Sequence, residues 1–303
     1  MYTEKMKENW VLLMKTKKLM AEMCKISSFP IDNRSDCNYT IYVSNHNEEI
    51  IGMVKKWDVT IPRLSGKHTR TAYIYLPDCY EEDDLRRYPV LYMFDGHNVF
   101  FDADSAFGKS WNMTSYLLWT RKNLIVVAVE CNKKGNNRLK EYSPTSFEDA
   151  KFGRITGKGR TYMNWLVKEL KPYIDENYRT LPGREHTAIA GSSMGGLMSL
   201  YGVSCYNKVF SKAACLSPSL WTNPEKLMEL VSKVKIHPDT TVYMDYGSEE
   251  LSNHPVQKEA LMDMSRLLME KNVNLAFRII PGGNHSEASW EKQIPIFMDC
   301  LGL

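Results

Sequence analysis

The sequence predicts an α/β protein with a mostly parallel central sheet, helices on both faces, and antiparallel strands at its N-terminal edge. Three observations carry that expectation. Residues 90–94 (VLYMF) and 124–129 (LIVVAV) are short, wholly apolar runs, the pattern of strands buried on both faces. From there on, such runs alternate with stretches of helical length, which implies parallel strands joined by right-handed crossovers. Upstream, residues 57–61 and 71–76 alternate apolar and polar side chains around a turn-like segment, 63–69, and read as an antiparallel hairpin.

Taken in order, Met6, Trp10, Leu13, Met14, Met20 and Met23 recur at helical spacing. Residues 1–49 are therefore expected to be an N-terminal helical extension, followed from Ser27 by a polar arm containing Pro30. The apolar stripe of that helix is a packing face, against the main domain or against a second copy in a homo-oligomer. The main domain is expected over residues 50–303. After the hairpin and a charged loop at 81–87 come the strands 90–94 and 124–129, then a helix over 161–178. A strand at 186–190, a helical run from Leu197, and a strand at 213–216 follow. The chain continues with a helix over 224–234, a strand at 241–246, a helix over 256–271, a strand at 275–280 and a closing helix at 294–301.

With 303 residues the chain can bury roughly three quarters of its unfolded surface. Lys and Arg total 39 against 36 Asp and Glu, so no strong field favours nucleic acid or a membrane surface. No apolar run approaches a membrane span. The lysines scattered through the first 27 residues interrupt any secretory core. Seven cysteines form no metal-type spacing, and their odd number fits reduced thiols in a cytoplasmic protein.

The chemistry centres on Gly191-Ser192-Ser193-Met194-Gly195, a G-x-S-x-G placed between an apolar strand and a helix-compatible run. A sharp strand-to-helix turn there presents the Ser193 hydroxyl at the sheet edge, and glycines on both sides admit the close approach that the turn demands. A serine hydroxyl needs an adjacent base. Of seven histidines, His285 fits best, in a Gly-Gly-Asn-His loop after the last strand. The imidazole needs a carboxylate, expected after the strand that ends Asp245-Tyr246-Gly247-Ser248-Glu249-Glu250. Glu250 is preferred to Glu249, with Asp245 third. Two N–H groups must face the carbonyl oxygen as charge develops there. Met194 supplies one, and His97, in the loop Asp95-Gly96-His97-Asn98, is the candidate for the other. A phosphate loop at Gly153–Gly159 is rejected, since its spacing is too short and no hydroxyl residue follows Lys158. Nothing calls for a metal or an organic cofactor.

Assembled, the chain resembles the α/β-hydrolase "putative esterase" family. That group includes esterase D, feruloyl and acetylxylan esterases, siderophore esterases and bacterial mycolyltransferases. The resemblance rests on Tyr88–Gly96, Arg138 with Glu141–Pro144, Tyr178–Thr180, Gly191–Leu197, Ser217–Trp221, and Gly283–His285 with Trp290. It covers about residues 57–301. It implies an α/β-hydrolase fold with Ser193 as nucleophile, His285 as base and Glu250 as acid, where many members carry aspartate. Asp95-Gly96 stands where many esterases have His-Gly. The implied activity is ester hydrolysis through an acyl-enzyme on a small acylated substrate, an acetylated or feruloylated carbohydrate. Siderophore trilactones, transfer to another alcohol, and a non-catalytic binding role are the competing readings. Trp111, Trp221 and Trp290 are candidates for an aromatic wall. Asn98 is a further candidate substrate contact, and Arg138 either meets substrate or braces the Glu141 segment.

Overall fold

The computed structural model describes residues 38–43, 50–251 and 255–303. The amphipathic helix expected over residues 6–23, with the oligomer contact assigned to it, lies outside the described residues.

The strands are β1 (Asn38–Val43), β2 (Ile50–Thr60), β3 (Thr69–Leu76), β4 (Val90–Phe94), β5 (Ile125–Val129), β6 (Phe147–Asp149), β7 (Gly153–Ile155), β8 (Thr187–Ser192), β9 (Lys212–Leu216), β10 (Thr241–Gly247) and β11 (Asn274–Ile280). All but β6 and β7 join one sheet, in the order β1-β2-β3-β5-β4-β8-β9-β10-β11. The β2–β3 hairpin is antiparallel in the register Trp57↔Ala72, and β3 meets β5 antiparallel. From β5 through β4, β8, β9 and β10 to β11 every pairing is parallel.

The two-residue period of the strands divides the core between the two faces of the sheet. In β4, Val90, Tyr92 and Phe94 pack on one side with Tyr162, Met163, Leu197 and Met198. Leu91 and Met93 pack on the other with Trp111, Leu117, Trp290 and Phe297. Each wholly apolar strand thus feeds both faces, as its composition predicts.

Several elements were not legible in the sequence. Residues 38–43, inside the stretch expected as a polar arm, pair with β2 antiparallel. Residues 147–155 fold into the β6–β7 hairpin, and β7 contains the first three residues of the rejected phosphate loop. Met113–Thr120, Asn137–Glu141 and Glu287–Glu291 are short helices. The helix expected over 161–178 runs from Gly159 to Asn177. It passes through a π turn at Leu166–Leu170, two residues before Pro172, whose missing N–H breaks the regular ladder.

After β4 the chain turns to one side to make β5, then crosses to the other side to make β8. The carboxyl ends of β4 and β8 therefore flank a topological switch point, where an open α/β sheet leaves a crevice.

Candidate active site

Ser193 sits between β8 and the helix Met194–Cys205 at φ 58°, ψ −121°. That region is sparsely populated for a residue with a Cβ, and such strain costs on the order of 1–3 kcal/mol. The surroundings enforce it. The Ser193 N–H donates to the Leu216 carbonyl (2.9 Å), and the Ser193 carbonyl accepts from the Ser219 N–H (3.0 Å). A Cβ on Gly191 would lie 2.7 Å from the Gly195 carbonyl carbon, and one on Gly195 would lie 2.9 Å from the Phe94 Cβ. Both glycines are required by close approach, as the motif implies.

The loops after β10 and β11 bring the other groups to this edge. Gly247 and Gly283 abut so closely that a Cβ on Gly247 would overlap the Gly283 backbone. His285 Nε2 lies 2.9 Å from Ser193 Oγ. His285 Nδ1 lies 2.6 Å from Glu250 Oε2. The other oxygen, Glu250 Oε1, accepts from Ser217 Oγ (2.7 Å) and from the Gly247 N–H (3.1 Å). The Glu250 side chain is only 8% exposed, against 49% for His285. The imidazole thus faces the cleft while its carboxylate is shielded behind it.

The two other candidate acids go elsewhere. Glu249 is exposed, on the turn Ser248–Leu251. Asp245 is buried within β10, where its oxygens accept from the Tyr243 hydroxyl (2.8 Å) and the Ser217 N–H (3.2 Å). Burial pushes its pKa up to about 7, against the pull of those two hydrogen bonds.

Met194 is the first residue of its helix, where an N–H has no intrahelical partner and the helix dipole favours negative charge. His97 lies in the 3₁₀ turn Gly96–Asn98 after β4, preceded by Asp95 at φ 55°. Arg138 holds that turn in place: its Nε and one terminal nitrogen donate to the two Asp95 carboxylate oxygens, at 2.8 and 2.7 Å. Burial opposes ionisation of Asp95, but the guanidinium overrides it and keeps the carboxyl below its usual pKa. Arg138 therefore braces the turn after β4, whereas Glu141 is held by Arg70. The His97 ring is buried with Nδ1 unpartnered, and burial lowers its pKa. Asp95, His97 and Cys131 have potential ligand atoms within 4.8 Å of one another. Both Asp95 oxygens are already engaged by a cation, which disfavours a metal ion there.

A cleft of about 860 Å³ opens over Ser193 and His285, lined among others by Arg138, Leu139, Phe152, Trp221, Tyr246 and Val256. Of the three tryptophans considered for an aromatic wall, Trp221 lines it, with its ring edge-to-face on Phe147 of β6 at 5.6 Å. Trp111 and Trp290 are buried and pack on each other at 6.2 Å. Asn98 is turned inward, donating to Glu287 (3.0 Å) and accepting from the Ala106 N–H. Phe152, in the turn between β6 and β7, carried no signal in the sequence. Ser217 and Ser219 follow β9 in a motif to which sequence reasoning gave no role.

The described residues contain no helix long and apolar enough to cross a membrane. A family model described as "Putative esterase" matches residues 65–297. The uncharacterized protein YbbA of Bacillus subtilis (strain 168) is 28% identical over 185 residues, which is 60% of this chain and 69% of that protein. A protein of Xylanibacter ruminicola named "Endo-1,4-beta-xylanase/feruloyl esterase" is 28% identical over 167 residues, 54% of this chain and 20% of that protein. Among solved structures, an IroE-like serine hydrolase from Shewanella oneidensis superposes with a TM-score of 0.63 at 22% identity. It covers 82% of this chain and 78% of its own.

Proposed function

The chain belongs to the "Putative esterase" family and is a carboxylic ester hydrolase; within that assignment we propose that Ser193, His285 and Glu250 are its nucleophile, base and acid. The observation supporting this reading is the continuous path from Glu250 Oε2 through the imidazole to Ser193 Oγ, with spacings of 2.6 and 2.9 Å.

Ser193 Oγ attacks the ester carbonyl as its proton passes to His285 Nε2. The carbonyl π electrons move to oxygen, where the Met194 and His97 N–H groups stabilise the charge. Glu250 holds the Nδ1–H tautomer and stabilises the imidazolium. As the tetrahedral species collapses, the carbon–oxygen bond to the leaving alcohol breaks and His285 protonates that alkoxide. Water, deprotonated by His285, then attacks the acyl-enzyme, and the acid is released as the proton returns to Ser193.

The substrate we propose is a small acylated carbohydrate bearing an acetyl or feruloyl group. The feruloyl esterase named among the relatives supports it, as does an open cleft whose lining includes Phe152 and Trp221. Hydrolysis of p-nitrophenyl acetate and labelling by a fluorophosphonate test the mechanism. Ser193→Ala should abolish labelling and reduce turnover at least roughly a thousandfold. Equal turnover by both proteins would refute it. A kcat/KM ranking over acetylated xylo-oligosaccharides, feruloyl sugars and a catecholate trilactone tests the substrate, and a preference for the trilactone would overturn the carbohydrate assignment.

A further inference from the structure

Behind the three groups just named, the structure carries a second line of polar contacts that the proposed reaction does not use. Trp290 is 5% exposed, and its Nε1–H donates to Ser217 Oγ at 3.1 Å. Ser217 is 1% exposed, and its Oγ–H donates to Glu250 Oε1 at 2.7 Å. The Trp290 ring also meets the His285 ring nearly perpendicular, at 83° and 4.9 Å between centroids. One indole thus touches the base directly and the acid through one hydroxyl.

The direction of these bonds is not free. An indole N–H can only donate, so the Ser217 oxygen must accept from it. A hydroxyl carries a single proton, and with Trp290 as donor that proton is left for Glu250. The carboxylate then accepts from Ser217 and Gly247 on one oxygen and from His285 on the other. An ionised carboxylate can only accept, so His285 Nδ1 carries the hydrogen, which leaves Nε2 as the acceptor facing Ser193.

We propose that Ser217 is a positioning residue for ester hydrolysis, and that Trp290 acts through it, so that a donor-only indole directs the Ser217 proton onto Glu250 and fixes the carboxylate that holds the catalytic imidazole. The proposal rests on the assignment of Ser193, His285 and Glu250 above. Ser217 lies at φ 43°, a conformation enforced at the turn after β9 rather than preferred by serine. Its backbone N–H is held by Asp245, so two carboxyl groups converge on this one residue. The groups that face Ser217 are Asp245 from β10, Glu250 from the turn after it, and Trp290 from the helix Glu287–Glu291.

The positive φ supplies a clean perturbation. Ser217→Gly removes the hydroxyl while suiting that backbone better, so loss of fold is not the expected consequence. With p-nitrophenyl acetate as probe, kcat should fall about tenfold to a hundredfold, the range for one hydrogen bond to a charged group. KM should change less than about twofold, because neither residue meets substrate. Stripped of one donor, the Glu250 carboxylate bonds the protonated imidazole more strongly, so the acid limb of the kcat/KM profile should move to higher pH. Trp290→Phe keeps an aromatic ring against His285 but loses the N–H, and should cost less than the glycine variant. If Trp290 acts through Ser217, the double variant should be no slower than Ser217→Gly alone.

Melting curves accompany the kinetics, and a glycine variant that fails to fold is replaced by Ser217→Ala. Turnover within twofold of wild type would overturn the proposal, as would a slower double variant with additive losses, or a lowered kcat with an unmoved acid limb. Those results leave fluorophosphonate labelling of wild type intact. Failure of the Ser193 assignment would instead appear as unchanged turnover in Ser193→Ala.

Discussion

Replacing Arg138 by Met leaves Asp95 in place with its partner gone, and the consequence can be worked from the geometry. The pair is bidentate at 2.7 and 2.8 Å, with Asp95 8% exposed and Arg138 30% exposed. A fully exposed pair would contribute about 0.2–1 kcal/mol, whereas breaking a fully buried one costs about 3–5 kcal/mol. With one partner buried and the other open at one side, a loss of about 3 kcal/mol is expected. For a domain of this size that is a fall in Tm of roughly 6–12 °C.

The pH dependence is the sharper test. In the wild type the Asp95 pKa is depressed, so its contribution is present above the unfolded-state value and lost only as pH falls through the lower folded value. Without Arg138, burial, the largest influence on Asp95, outweighs the pull of His97 and Cys131 and raises its folded pKa above the unfolded value. Its cost is then small at low pH and grows as pH rises. Urea titrations of both proteins between pH 5 and 8 should therefore show a stability gap that widens with pH. Because Asp95 anchors the turn carrying His97, kcat should also fall. A gap independent of pH would refute the argument that Arg138 compensates a buried carboxylate.

Three further outcomes follow from the site. Glu250→Gln should lower kcat at least about a hundredfold by removing the charge that stabilises the imidazolium, while Glu249→Gln, on an exposed side chain, should stay within about twofold; the opposite ranking in p-nitrophenyl acetate turnover would transfer the acid role. Asp245, with its pKa pushed up to about 7, contributes stability that is present below its unfolded pKa and lost as pH rises through about 7. Relative to Asp245→Asn, the wild type should thus lose stability on going from about pH 5 to pH 8, and parallel curves would contradict that reading. Trp221→Ala should reduce kcat/KM for a feruloyl ester about tenfold more than for an acetyl ester, since only the larger acyl group reaches that wall. Equal losses on the two esters would remove Trp221 from the acyl subsite.

How much of this was legible in the sequence depends on the range of the interaction involved. The glycines around Ser193 announce themselves because their constraint is local: the collision that each avoids involves residues next to the turn and Phe94. Likewise, VLYMF can only be a strand with apolar neighbours on both faces, and β4 spans those five residues. The elbow, the β2–β3 hairpin and the parallel core are written in runs of a few residues. The β6–β7 hairpin is not, because its strands are three residues long, too short to show a period, and hydrogen-bond as strands only with each other. Nor does β1 stand out, since Tyr39, Ile41 and Val43 alternate over only a short run inside a polar stretch.

The sequence by itself determined the chemistry of the groups: which hydroxyl is lifted from the sheet, which histidine follows the last strand, and which carboxylates follow the strand before it. The tertiary structure decided among near neighbours. Glu249 and Glu250 are adjacent and chemically alike, and only the packing of two loops at Gly247 and Gly283 brings one onto His285 while the other stays exposed at the cleft. Arg138 and Asp95 are 43 residues apart, Trp290 and Ser217 are 73 apart, and no local pattern encodes either pair. The physical reason is that a hydrogen bond acts over about 3 Å, while the sheet brings together residues separated by most of the domain.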